Sequence, residues 1–87
     1  MTEYTDEQIV QRKQHAQRLL DDELLAESFD RCEEAFTNEW KNSAEEGVQQ
    51  KAWAKMNALK EVRRLLEQVV NDGDWVEEKL ASIRKKG

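Results

Sequence analysis

No proline occurs anywhere in this chain and its three glycines stand at 47, 73 and 87, so little in the sequence can break a helix. An all-α protein is the expected fold class. At 87 residues there is room for one domain, read here as 1–87, and a chain of that size buries only about 60–65% of the surface it exposes when unfolded. Leu, Ile, Val and Phe together number eighteen, close to the level at which chains stay disordered. Whether the chain folds therefore depends on how its apolar residues are spaced.

Thr5-Asp6-Glu7-Gln8 sets a hydroxyl three residues ahead of a glutamine, the pattern in which two side chains satisfy each other's free backbone N–H groups at a helix start. A first helix is predicted over 6–20, with a thin stripe of Ile9, Ala16, Leu19 and Leu20. Asp21-Asp22-Glu23 then puts acids where a new helix has its positive dipole end, and a second helix is predicted over 22–41. Leu25, Phe29, Cys32, Phe36 and Trp40 fall on one of its faces. The spacing in Ser43-Ala44-Glu45-Glu46 repeats the capping pattern, so the chain should reverse at about 43 and restart as a third helix over 44–71.

That helix carries Val48, Ala52, Met56, Leu59, Val62, Leu66 and Val69 at helical spacing, widened by Trp53, Leu65 and Val70. Gly47 in its first turns is read either as room for another backbone to approach closely or simply as a place where the helix start frays. Asn71-Asp72-Gly73 reads as a left-handed stop, and Asp74 as the cap of a short final helix over 74–85. The architecture predicted is an antiparallel helical hairpin with short flanking helices and coiled-coil-like packing. Its core should be Leu25, Phe29, Cys32, Phe36, Trp40, Trp53, Met56, Leu59, Val62 and Leu66, with Trp40 and Trp53 closing the hairpin's end.

Charge is laid out in blocks. Residues 21–34 hold seven acids and one base, and residues 51–64 hold five bases and one acid. A reversal near 43 brings these blocks face to face, position 34 level with about 52. Exposed pairs add little stability, about 0–1 kcal/mol each, but opposed blocks select the antiparallel match over like-with-like pairing. Such a match can form within one chain or between two.

Chemistry-bearing residues are sparse. His15 and Cys32 lie on different predicted helices without a companion at metal-ligand spacing, so no metal or cofactor is expected. Cys32 falls on the apolar face and reads as a small hydrophobe, His15 as a solvated residue. A lone hairpin offers no sheltered cleft in which two carboxylates could be driven apart in pKa, and no catalytic residue is assigned. The chain is read as not an enzyme. With a net charge of −5, whole-surface affinity for nucleic acid or anionic lipid is not expected; the basic end Arg84-Lys85-Lys86 reads first as a solvated tail, with salt-sensitive nucleic-acid binding by that end as a further alternative. No apolar run approaches a membrane span and the start lacks the pattern of a signal peptide, so a cytoplasmic location is expected.

Two candidate partner surfaces remain. Trp75, opening the final helix, could anchor a protein together with Val76, Leu80 and Ile83. Glu27, Asp30 and Glu34 mark an acidic face on the second helix.

Phe36-Thr37-Asn38-Glu39-Trp40, then Lys51-Ala52-Trp53-Ala54-Lys55-Met56-Asn57-Ala58-Leu59-Lys60, then Leu65-Leu66-Glu67-Gln68-Val69-Val70-Asn71-Asp72-Gly73 and a short amphipathic tail follow one another along the chain. Over about Leu24 to Leu80 this resembles small all-helical proteins of tailed bacteriophages, with Lys51 standing where that pattern has an Arg-Glu pair. The resemblance implies a viral product that works by assembly or partner binding, in the virion or the host cytoplasm, and implies no catalytic residues. Combined with the scarcity of core residues, the reading is a non-catalytic protein-interaction or assembly module that self-associates, a dimer first. The alternative is a host-directed inhibitor whose acidic helix face blocks a nucleic-acid-handling protein.

Overall fold

The structure is a computed structural model that describes residues 3–86, with side chains over residues 3–85. It is all-helical among the described residues: α1 spans Asp6–Asp21, α2 Glu23–Asn42 and α3 Glu46–Lys86.

The helix starts follow local chemistry. The Thr5 N–H donates to Gln8 Oε1 at 2.9 Å and the Gln8 N–H donates to Thr5 Oγ1 at 3.2 Å, the reciprocal cap expected of that tetrapeptide. Asp22 is extended (φ −70°, ψ 120°) and accepts the Leu25 N–H on its carboxylate at 2.8 Å, which ends α1 and opens α2. At the second reversal Ser43 is extended and accepts from Glu45 rather than forming a reciprocal cap with Glu46. Helix α3 therefore begins two residues later than predicted. Gln49 braces the turn, its side-chain amide donating to the carbonyls of Ser43 (2.8 Å) and Trp40 (3.3 Å).

Helix α3 does not stop at Asn71-Asp72-Gly73. It runs through to Lys86, and no glycine among the described residues has positive φ, so the predicted third and fourth helices are one. Gly73 has another role: it is buried under α1. A Cβ built on it would collide with Lys13 Cβ and lie 2.7 Å from Cδ and 2.8 Å from Cγ. The close approach that Gly47 could have served belongs to Gly73, for a Cβ on Gly47 would meet nothing within 4 Å.

The chain divides into two compact units, one made of α1 with α3 from Leu65 onward, the other of Asp22–Arg64. In the first, Ile9, Lys13, Ala16 and Leu20 of α1 are buried or half-buried, as are Leu66, Val69, Gly73, Val76 and Leu80 of α3. Both rows step by threes and fours, the spacing of a two-helix seam. Asp6 meets Lys79, and Lys13 meets Asp74 and Glu77, so the two segments run antiparallel.

In the second unit, Asp30 meets Arg63, Thr37 meets Met56 and Glu39 meets Lys55. This is the antiparallel hairpin, but with position 34 level with about 59 instead of 52. The three residues of the loop and the first turn of α3 are used in crossing between helices, which moves the register. Opposed charge blocks are realised only through Asp30 and Arg63, 3.7 Å apart, since Glu27 pairs with Arg31 and Arg64 with Glu61 along their own helices.

Four predicted core positions are corrected by their exposure: Cys32, Trp40, Trp53 and Val62. Ala52 is fully buried, and the next residue on a helix points about 100° away, which turns Trp53 to solvent. Beyond Leu59 the row facing α2 passes through Arg63 and not Val62, because a seam that steps from 52 to 56 to 59 next reaches 63. The Arg63 guanidinium lies over the Phe29 ring, 5.1 Å from its centroid, so its aliphatic stem fills an apolar place while its charge stays wet. Leu25, Phe29, Phe36, Met56 and Leu59 are half-buried in this unit, whereas Leu66, also expected in the hairpin core, is half-buried in the seam of the first unit.

Candidate interaction surfaces

No large side chain is fully buried among the described residues; the buried apolar positions are Ala16, Ala52 and Val76. Among the described residues no polar or charged side chain is buried either, and no buried side-chain nitrogen or oxygen lacks a partner. The described surface thus carries most of this chain's ionisable chemistry, together with several large apolar side chains.

The C-terminal candidates divide. Val76 is 2% exposed and packs in the seam of the first unit, so it is not an open anchor. Its place follows from the step of three from Gly73, which puts it on the face that α1 covers. Leu80 is half-buried on the same row. Trp75 and Ile83 point elsewhere and are 65% and 58% exposed, joined on α3 by Leu65 at 51%. Lys79 lies with its ammonium 5.7 Å from the Trp75 ring centroid. Arg84 and Lys85 are exposed, and the Lys86 side chain lies outside the described residues.

The acidic candidates are all exposed on α2. Glu27 pairs with Arg31 at 2.7 Å and Asp30 with Arg63 at 3.7 Å, whereas Glu34 has no ion pair among the described residues.

A shallow groove of about 180 Å³ lies between α1 and α3 of the first unit, lined by Arg12, His15, Ala16, Leu19, Leu66 and Val69. The Arg12 guanidinium stacks on Tyr4, 4.2 Å from the ring centroid, at the mouth of neighbouring depressions. His15 and Cys32 belong to different units. No three His, Cys, Asp or Glu side chains among the described residues are grouped to hold a metal ion, and no described helix is long and apolar enough to cross a membrane.

The electrostatic centre of the first unit is Lys13. Its ammonium sits 2.6 Å from Asp74 Oδ1 and 3.1 Å from Glu77 Oε2. The hydrogen bond to Asp74, then that to Glu77, raises its pKa above the ordinary lysine value. In the second unit Arg64 donates twice to Glu61, at 3.0 and 2.6 Å, which lowers the Glu61 pKa and raises that of Arg64.

Lys13 and Arg63 are the residues that a reading by apolar spacing misses. Both stand at seam positions with long aliphatic stems. Their signal was positional: Ile9-x3-Lys13-x2-Ala16-x3-Leu20 is a regular seam once a lysine is allowed in it. No family model, curated protein or solved structure matches this chain.

Proposed function

We propose that this chain is a non-catalytic protein-interaction module that self-associates, and that its apolar side chains outside the two seams are what it associates through. One observation carries the reading. Trp53, Trp75, Ile83, Leu65 and Val62 are each half or more exposed, large side chains of the kind that interfaces bury. A phage product acting in assembly fits such a module, and that part of the proposal rests on the resemblance over about Leu24–Leu80 alone.

Sedimentation velocity over a range of protein concentrations tests the reading. The expected result is a mass that rises above 10.3 kDa as concentration increases. A single 10.3 kDa species up to high micromolar concentration overturns it.

A second reading has its own support: Glu23, Glu33 and Glu34 are exposed on α2 without ion pairs among the described residues, leaving acidic surface free for a basic channel. As a host-directed inhibitor, the protein would lose its capture of a nucleic-acid-handling partner on charge reversal at Glu27, Asp30 and Glu34. Capture unaffected by that reversal rejects this second reading.

A further inference from the structure

The exposed apolar residues of α3 in the first unit are not scattered. Leu65 and Ile83 are eighteen residues apart, five full turns, so they project at the same angle about 27 Å from one another. Trp75 lies between them within a sector of about 80°, and the rest of that sector is Gln68, Asp72 and Lys79. Residue 74 is equidistant from Leu65 and Ile83, so the row is apolar at both ends and aromatic next to its centre. Its two charges are of opposite sign.

We propose that this row is a homodimer interface and that its occupant is the same row of a second copy, running antiparallel about a two-fold axis at the level of residue 74. The inference rests on the self-association reading and specifies the face and direction. With the axis there, Leu65 of one copy lies against Ile83 of the other, twice, and the two Trp75 side chains meet near the centre. Lys79 comes within about one turn of Asp72 on the second copy, again twice.

Charge selects the direction. A parallel pair would also match Leu65 with itself and Ile83 with itself, but it would place Asp72 against Asp72 and Lys79 against Lys79. The antiparallel pair exchanges these repulsions for two attractions. Both charges already have contacts within the unit: the Gln68 amide donates to Asp72 Oδ1 at 2.9 Å, and Lys79, over Trp75, lies 3.5 Å from Asp6, an exposed pair weak enough to be exchanged. The row's charges cancel within it, so it suits its own copy better than a strongly basic or acidic partner.

Cross-linking tests face and direction together. In a Cys32→Ser background, chains carrying Gln68→Cys are mixed with chains carrying Lys79→Cys under mild oxidation. The expected result is a covalent dimer from the mixture and little from either variant alone, because residue 68 lies level with about residue 80 of the second copy. Efficient self-cross-linking by each variant alone overturns the antiparallel arrangement. A dimer by sedimentation with no cross-link in the mixture overturns this face while leaving self-association standing. A monomer throughout overturns both. As a second measurement, Trp75→Ala should weaken dimerisation at least tenfold with helicity by circular dichroism unchanged; an unaltered dimerisation constant also refutes the assignment.

Discussion

Replacing Gly73 with alanine separates two opposing effects whose sizes are known. Inside a helix, alanine is better than glycine by about 0.8–1 kcal/mol, so the substitution would stabilise α3 if nothing stood near it. Here the new methyl would meet Lys13 Cβ and lie 2.7 and 2.8 Å from Cδ and Cγ. A rotamer change can carry Cγ and Cδ away, but Cβ is fixed to the α1 backbone, so the helices must separate. Overpacking of this kind costs about 1–3 kcal/mol. The expected net effect runs from about zero to about 2 kcal/mol of destabilisation. Gly47→Ala is the internal control, because a Cβ there meets nothing within 4 Å and the change should stabilise by up to about 1 kcal/mol. Urea unfolding at one fixed, low protein concentration reads both, since self-association would otherwise enter the midpoint. With a slope of about 1 kcal/mol per molar for a chain this small, the two midpoints should move apart by about 1–3 M. In a Lys13→Ala background the Gly73→Ala cost should shrink without vanishing, because Cγ and Cδ are gone and Cβ remains. The reasoning is refuted if Gly73→Ala raises the midpoint as Gly47→Ala does.

Other outcomes follow from single contacts. Asp22→Ala removes the carboxylate that caps α2 through the Leu25 N–H and should cost about 1 kcal/mol by urea titration, with Asp22→Asn recovering most of it. Cys32, being exposed, should react with a thiol reagent in the native protein at close to its rate in denaturant; a strong slowing in the native state would return it to the core. Because Asp74 and Glu77 raise the Lys13 pKa above 10.5, the folded state holds that proton more tightly than the unfolded state. The stability difference between the wild type and Lys13→Met should therefore be constant from neutral pH up to about 10 and shrink as pH rises beyond 10.5, whereas a difference that grows there contradicts the geometry. Glu61 has the opposite sign. Held below 4.5 by Arg64, it should add stability that is lost as pH falls through the acid range, and Glu61→Gln should abolish that part of the acid sensitivity.

What could be read before the structure was local, and what could not was the identity of the residues in the seams. The Thr5–Gln8 cap, the break at Asp22 and the reversal near Ser43 are each written in a few neighbouring residues whose hydrogen-bonding choices hardly depend on the remainder of the chain. Gly73 shows the limit of that kind of inference. Asn-Asp-Gly is a common way to end a helix, yet a glycine is also the residue that lets a second helix come close, and only the placement of α1 decides between the two. The decision was nonetheless encoded at longer range: Leu66, Val69, Gly73, Val76 and Leu80 keep steps of three and four straight through the glycine, which a helix ending at 73 would have no reason to preserve. Following apolar residues alone hides this row and its partner, by passing over Gly73 and Lys13, and it also draws Val62 into a seam that belongs to Arg63. Helical spacing and comparable distances from the turn place Trp40 and Trp53 at the closed end of the hairpin. Their exposure follows from the angle at which their helices present them, and a chain with two seams built around alanine, glycine and the stems of Lys13 and Arg63 leaves all three of its tryptophans at the surface.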